Sequence, residues 1–388
     1  MGVIKNKFNF LPKFRLLKDL RRSCRIFIMT YGNYPDLSQV KRALVIKMRH
    51  HGDVLLSSPV FAQLKKAIPD AQVDAFIYKD TLPMLDGHPA IAEFLLYDRD
   101  WKKLSRFKML AKELSLLKQI RSRGYDLVIN LTEGDRGAVA AWVSGSRYRV
   151  GFDPKKSGFF GKRKIYTHIV KECPNSRHTV ERQLDALRRI GVFPAPEERD
   201  LFLHVPEEAK KRIADLLAKE ELRDYVLIHP VSRWRFKCLA TKQIAELIQA
   251  LDERGLRVVL SSGPEAQELA MIEEILAQVN VPVTNFAGKL TLKELSALIL
   301  YAKALICVDS VPLHIASALK TPVVALFGPT SEVNWGPWMH PRARVVAQSF
   351  SCRPCFQDGC GGSKMSDCLF SMPILSILSA LDQELVCV

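Results

Sequence analysis

From Lys41 onward the chain alternates short apolar runs with longer stretches whose apolar positions recur at helical spacing. Residues 43–48, 73–78 and 125–130 read as buried strands, while 59–67 and 114–123 carry helix-like spacing. A Pro- and Glu-rich stretch at 193–199 interrupts the pattern, and a second series of the same kind follows. In it Tyr225–His229, 257–261, Ala304–Val308 and Val323–Phe327 read as strands, separated by helices over 241–254, 264–278 and 291–302. Strands alternating with helices predict an α/β protein of two doubly wound, Rossmann-like parallel sheets in tandem, over 41–200 and 201–388, facing a cleft. The last helix is left free to pack back on the first domain. In open sheets of this kind ligands bind just past the carboxyl ends of the strands, so the chemistry is sought in those loops.

A length of 388 residues with 48% hydrophobic composition suits two ordinary domains. The formal charge of +16 and pI near 9.4 call for an anionic partner without choosing among nucleotide, lipid, glycan phosphate or nucleic acid. No apolar run is long enough to cross a bilayer. Residues 1–40 interleave Phe8, Phe10, Phe14, Leu17 and Leu20 with Lys and Arg, the composition of an amphipathic segment on an anionic bilayer. The same composition also suits an unstructured tail, or a reading frame whose true initiator is Met29. The basic residues there are followed only by the short apolar run 26–29, so no signal peptide is read and a cytoplasmic chain is expected. An odd total of nine cysteines, most of them isolated, fits a reducing compartment.

Three post-strand loops carry candidate chemistry. The first runs Arg49, His50, His51, Gly52, Asp53. Asp53 stands either as a cap for free helix amides or as a general base at a cleft mouth, a role typically worth about 10²- to 10⁴-fold in rate. Adjacent histidines cannot serve one metal from a helix face, so His50 and His51 are read as groups that contact an acceptor. The second loop, after Tyr225–His229, holds Ser232, Arg233, Arg235 and Lys237, a hydroxyl and three cations suited to a diphosphate. The third joins Asp309, Ser310, Val311 and Pro312 to a helix bearing His314, with Ser310 as a candidate N-cap and the helix amides as an anion site. Arg136, past the strand ending at Asn130, is a candidate for acceptor phosphates. Cys352, Cys355, Cys360 and Cys368 have the spacing of a structural zinc site.

The loops at 49–59, 229–237 and 308–330 together resemble those of the ADP-heptose lipopolysaccharide heptosyltransferases, glycosyltransferase family 9, and the run through Met48, Arg49, His50, His51, Gly52 and Asp53 is most similar to the type III members. The resemblance extends from about Lys41 to the C-terminus. It implies a GT-B fold, an acceptor-binding first domain, an ADP-heptose-binding second domain, and inverting transfer that needs no metal or other cofactor. Carried over position by position, Asp53 matches the catalytic base, Gly52 and the His pair the acceptor side, Lys237 and Ser232 the ADP phosphates, and Asp309, Ser310, Val311 and His314 the donor motif. The family commonly has Gly where this chain has Val311, which reduces backbone freedom there. Glu265 and Glu268 both stand where the family places an acidic contact to adenosine. The implied partners are the lipopolysaccharide core glycolipid and the anionic inner face of the inner membrane, with the chain peripheral to it. Oligomeric state has no signature. A GT-B transferase for another nucleotide sugar and a sugar epimerase share the architecture and stay open as alternatives. A non-catalytic basic binding protein is the other alternative, although no helix-turn-helix or paired-strand aromatics speak for nucleic acid.

Overall fold

Apolar runs become parallel strands wherever a sheet is covered on both faces, and the chain builds two such sheets. The structure is a computed structural model that describes residues 34–155, 157–173 and 176–385. The basic amphipathic extension expected over 1–40 therefore lies, through residue 33, outside the described residues. From Leu37 the chain forms one compact unit.

The first sheet holds β1 (Arg42–Lys47), β2 (Gln72–Tyr78), β3 (Phe94–Tyr97), β4 (Leu127–Asn130), β5 (Tyr148–Phe152) and β6 (His168–Val170), in the order β3-β2-β1-β4-β5-β6. The second holds β7 (Tyr225–His229), β8 (Arg257–Leu260), β9 (Val283–Asn285), β10 (Ala304–Val308), β11 (Val323–Phe327) and β12 (Ala343–Ala347), in the order β12-β11-β10-β7-β8-β9. All pairings are parallel. Each sheet thus starts in its middle, grows outward to one edge, then returns to the other. The switch points lie between β1 and β4 and between β7 and β10, where the carboxyl ends of neighbouring strands diverge and leave room for a ligand.

Side chains alternate between faces along each strand. In β1, Leu44 and Ile46 pack with Phe76 and Val128 beneath the helices Arg106–Ser122 and Asp135–Val143. Ala43 and Val45 face the helices Ser58–Ala67 and Thr179–Arg188 on the other side. That second cluster runs on without a break through Leu201 and Val205 to Leu227, Leu305 and Phe327, so the two lobes share one apolar core. The helix Glu207–Lys219 packs on the helix Leu292–Tyr301, which joins it to the second lobe.

The last helix, Ile374–Leu385, does not return to the first lobe. It covers β10, β11 and β12 and the helix Thr241–Asp252, all in the second. The reason lies in its stripe of Ile377, Leu378 and Leu381, which closes over Val324 and Leu326 on a sheet face that would otherwise be bare.

Candidate active site

The loop after β1 turns at His50 into a short helix, His51–Leu55, and Asp53 falls in its first turn. Asp53 does not cap that helix. Its Oδ1 lies 3.8 Å from Lys47 Nζ and 4.0 Å from Arg49 Nε, and the carboxylate is 14% exposed. Lys47 itself is buried at the end of β1, with Nζ 3.4 Å from the Leu131 carbonyl oxygen, so a lysine interior to an apolar strand has become the partner of the candidate base. Burial pushes the Lys47 ammonium below the usual lysine range, and Asp53 opposes that shift.

Across the cleft, the turn Arg235–Lys237 presents Lys237, whose Nζ donates to Asp309 Oδ2 at 2.7 Å. Asp309 follows β10 and precedes the helix Val311–Leu319. Ser310 occupies the N-cap position, but its hydroxyl donates to the Val308 carbonyl at 3.2 Å and leaves the helix amides without a side-chain cap. Those amides point past a strand end at the switch point, a setting that favours an anion. Ser232 Oγ accepts from the Trp234 amide at 3.3 Å within the same basic loop.

His314 joins the two halves. A Cβ built on Gly52 would lie 2.7 Å from its Cδ2 and 3.3 Å from its Nε2, so only glycine lets the first lobe come this close. The ring is buried, and its Nδ1 has no hydrogen-bond partner. Burial lowers its pKa, Asp309 and Asp53 oppose, and Lys237 adds to the lowering. One imidazole therefore senses the carboxylate of each lobe. A second contact between lobes runs from Arg233 Nη1 to His50 Nδ1 at 3.5 Å.

Other sequence-selected residues have different surroundings. His51 Nε2 donates to the Asp80 carbonyl at 2.9 Å, and so braces the loop against the first lobe. Arg136 lies over the Tyr97 ring at 4.1 Å and reaches Glu113 at 3.4 Å and the Tyr78 hydroxyl at 3.5 Å. Glu265 is exposed ahead of the helix Ala266–Leu276, whereas Glu268 accepts from the Gly263 amide at 2.8 Å and burial raises its pKa. Val311 opens the donor-side helix without interrupting it. Cys352, Cys355, Cys360 and Cys368 are free thiols that line one small pocket with Pro329 and Phe350. Among the described residues no three Cys, His, Asp or Glu side chains are placed to hold a metal ion. Spacing alone cannot tell four ligands from four neighbours.

Sequence reasoning passed over Lys47 and Arg99. The signal for the first was a charged residue inside the apolar run 43–48. Arg99 had none, because it reaches the site from a distant turn to donate to the Arg49 carbonyl at 3.0 Å.

Comparison with known proteins places this geometry. The family model for glycosyltransferase family 9 (heptosyltransferase) matches residues 113–365. Lipopolysaccharide heptosyltransferase 3 of Escherichia coli (strain K12) is 38% identical over 311 residues, which cover 79% of this chain and 88% of that one. Among solved structures, the glycosyl transferase family 9 protein from Veillonella parvula DSM 2008 superposes with a TM-score of 0.78 at 21% identity, covering 92% of this chain and 100% of that one. The E. coli ADP-heptose lps heptosyltransferase II gives 0.71 at 22% identity, covering 89% and 99%. These two likenesses show the fold, a GT-B pair of Rossmann-like lobes. With the family model matched across the cleft and a relative aligned over most of both chains, the chain belongs to glycosyltransferase family 9, the heptosyltransferases.

Proposed function

We propose that the chain transfers heptose from ADP-L-glycero-D-manno-heptose to a heptose of the lipopolysaccharide inner core, as a heptosyltransferase of type III. The observation that carries the reading is the close approach of Gly52, beside Asp53 on one lobe, to His314 on the other, whose charge both Asp53 and the Lys237–Asp309 pair influence. The name of the 38% identical relative supports the substrate class.

In this mechanism the second lobe takes the donor. The diphosphate draws Lys237 from Asp309 and occupies the amides after Ser310, with Ser232 beside it; Asp309, released, faces the heptose. Asp53 accepts the proton of the acceptor hydroxyl as that oxygen attacks the anomeric carbon from the face opposite the leaving group. The C–O bond to ADP breaks in the same displacement, so the anomeric configuration inverts and no covalent intermediate forms. Charge developing on the ADP oxygen is held by Lys237 and the helix amides. Lys47 and Arg49 hold Asp53 in its working position from behind. No step calls for a metal or other cofactor.

The acceptor is an amphiphile, which places the enzyme at the cytoplasmic face of the inner membrane as a peripheral protein. No helix among the described residues is long and apolar enough to cross a membrane. The test is transfer from ADP-heptose to core acceptors of defined length. Asp53→Ala should lower turnover by about 10²- to 10⁴-fold while ADP affinity stays within about twofold. A variant that keeps most of its turnover removes Asp53 from the base role, and transfer from a different nucleotide sugar alone removes the donor assignment.

A further inference from the structure

The helix Arg106–Ser122 buries only Leu116 and Ile120. Its outward side should then be polar, yet Phe107, Leu110 and Leu114 stand 88%, 51% and 55% exposed. Spacings of three, four and seven residues set these three side chains in one strip on the face away from the core. Leu104, just before the helix, is 40% exposed, and Trp142 on the adjoining helix Asp135–Val143 is 65% exposed. Arg121 ties the two helices together by donating to the Ser144 carbonyl at 3.1 Å.

The segment that carries this strip is strongly basic. Residues 102–121 contain seven Lys or Arg and a single acid, Glu113. Glu113 is turned inward, accepting from the Tyr97 hydroxyl at 2.6 Å and pairing with Arg136 at 3.4 Å. Lys118 is exposed beside the strip, and Lys108 and Lys112 are exposed farther round the same helix.

We propose that this face of the helix Arg106–Ser122 docks on an anionic lipid bilayer, with Phe107, Leu110 and Leu114 inserted among the acyl chains and the flanking lysines on the headgroup phosphates. Apolar knobs in a cationic rim fit a negatively charged interface. A second copy of the chain fits poorly, because two such faces would bring like charges together. The inference rests on the acceptor reading above and gives it a geometry. From the buried side of the helix, Glu113 holds Arg136, Arg136 reaches Tyr78, and Arg99 lies over the Tyr78 ring at 4.0 Å while donating to the Arg49 carbonyl at 3.0 Å. A docked helix therefore sets the catalytic loop beside the membrane surface from which a glycolipid would present its sugar.

The test uses the full chain, flotation with vesicles of phosphatidylcholine alone or mixed with phosphatidylglycerol, and hydrogen exchange of residues 106–122. The surface variants F107S/L110S/L114S and K108E/K112E/K118E should keep wild-type Tm. Each should bind the anionic vesicles at least roughly tenfold more weakly, and the charge variant roughly a hundredfold more weakly. Exchange over 106–122 in the wild type should slow only with anionic vesicles. Equal flotation of wild type and both variants, or slowing confined to other segments, overturns the proposal. Equal binding to neutral vesicles overturns its charge component. Transfer to a delipidated core oligosaccharide keeps the two readings apart: both variants should retain wild-type turnover on it and lose it only on vesicle-embedded acceptor. If the wild type fails on every acceptor, the assigned reaction falls instead.

Discussion

Lys237 pairs with Asp309 and, in the proposed mechanism, also binds the ADP phosphates, and one pair of variants can separate the two roles. Its Nζ sits 2.7 Å from Asp309 Oδ2, with the two side chains 19% and 6% exposed. Lys237→Met leaves that carboxylate unpaired where little water reaches it, and breaking a buried pair costs about 3–5 kcal/mol. The residual exposure of the lysine sets the expectation at the lower end, about 3 kcal/mol, or a fall in Tm of roughly 6 °C. Separately, a charge-assisted bond to the ADP phosphates is worth about 1.5–3 kcal/mol, so the same variant should bind ADP roughly ten- to a hundredfold more weakly. Lys237→Met combined with Asp309→Asn should recover the Tm, because neither charge is then stranded, but not the ADP affinity. Differential scanning fluorimetry without ligand reads the first effect and isothermal titration with ADP the second. Wild-type ADP affinity in the single variant refutes the phosphate role. An unchanged Tm refutes the stranded-charge reasoning.

Three further outcomes follow from the geometry. Gly52→Ala places a methyl carbon 2.7 Å from the buried His314 ring, so the lobes must part; turnover should fall on the order of a hundredfold while ADP binding, which the proposed mechanism assigns to the second lobe, should change little by titration. Arg123→Met strands Asp74, which is fully buried and accepts from Arg123 and from the Tyr125 hydroxyl, both at 2.7 Å. A loss of about 3–5 kcal/mol should appear in urea unfolding, and a loss below about 1 kcal/mol would show that the remaining donors, Tyr125 and Gln72, suffice to support the carboxylate. Burial pushes His88, His178 and His229 each down to about 4 from 6.5. Below pH 6.5 the unfolded chain binds protons that the folded one refuses, so stability should be flat above pH 7 and fall progressively between pH 6.5 and 4. In His178→Gln that fall should be shallower, and an identical Tm profile against pH would exclude His178 from it.

The fully covered strands were legible and the partly exposed ones toward the sheet edges were not, for one physical reason. β1, β4, β7, β10 and β11 are covered on both faces, so nearly every residue in them is apolar and the run stands out in the sequence. β3, β5, β6, β9 and β12 are partly exposed, and their short mixed sequences carry neither a continuous run nor a clean alternation. The site divides in the same way. Asp53, Lys237, Ser310 and His314 lie within a few residues of legible strand ends, and topology alone brings them to the cleft. Arg99 and Glu113 act through contacts between segments distant in sequence, and no local pattern records those.

The ion pairs of the cleft also suggest an order of events. Asp53 is paired with Lys47 and Arg49 inside the first lobe, and Lys237 with Asp309 inside the second. Between the lobes, by contrast, the site brings a glycine against an imidazole that burial shifts toward its neutral form. Opening the cleft therefore breaks none of these ion pairs among the described residues of the reacting centre, and the donor can enter without that penalty. In the proposed mechanism the diphosphate takes Lys237, so Asp309 loses its partner within the second lobe and becomes the group with most to gain from the heptose hydroxyls. Donor binding in this arrangement creates the sugar contact by consuming the charge that had masked it, so ADP alone should leave Asp309 unsatisfied and the complete nucleotide sugar should not.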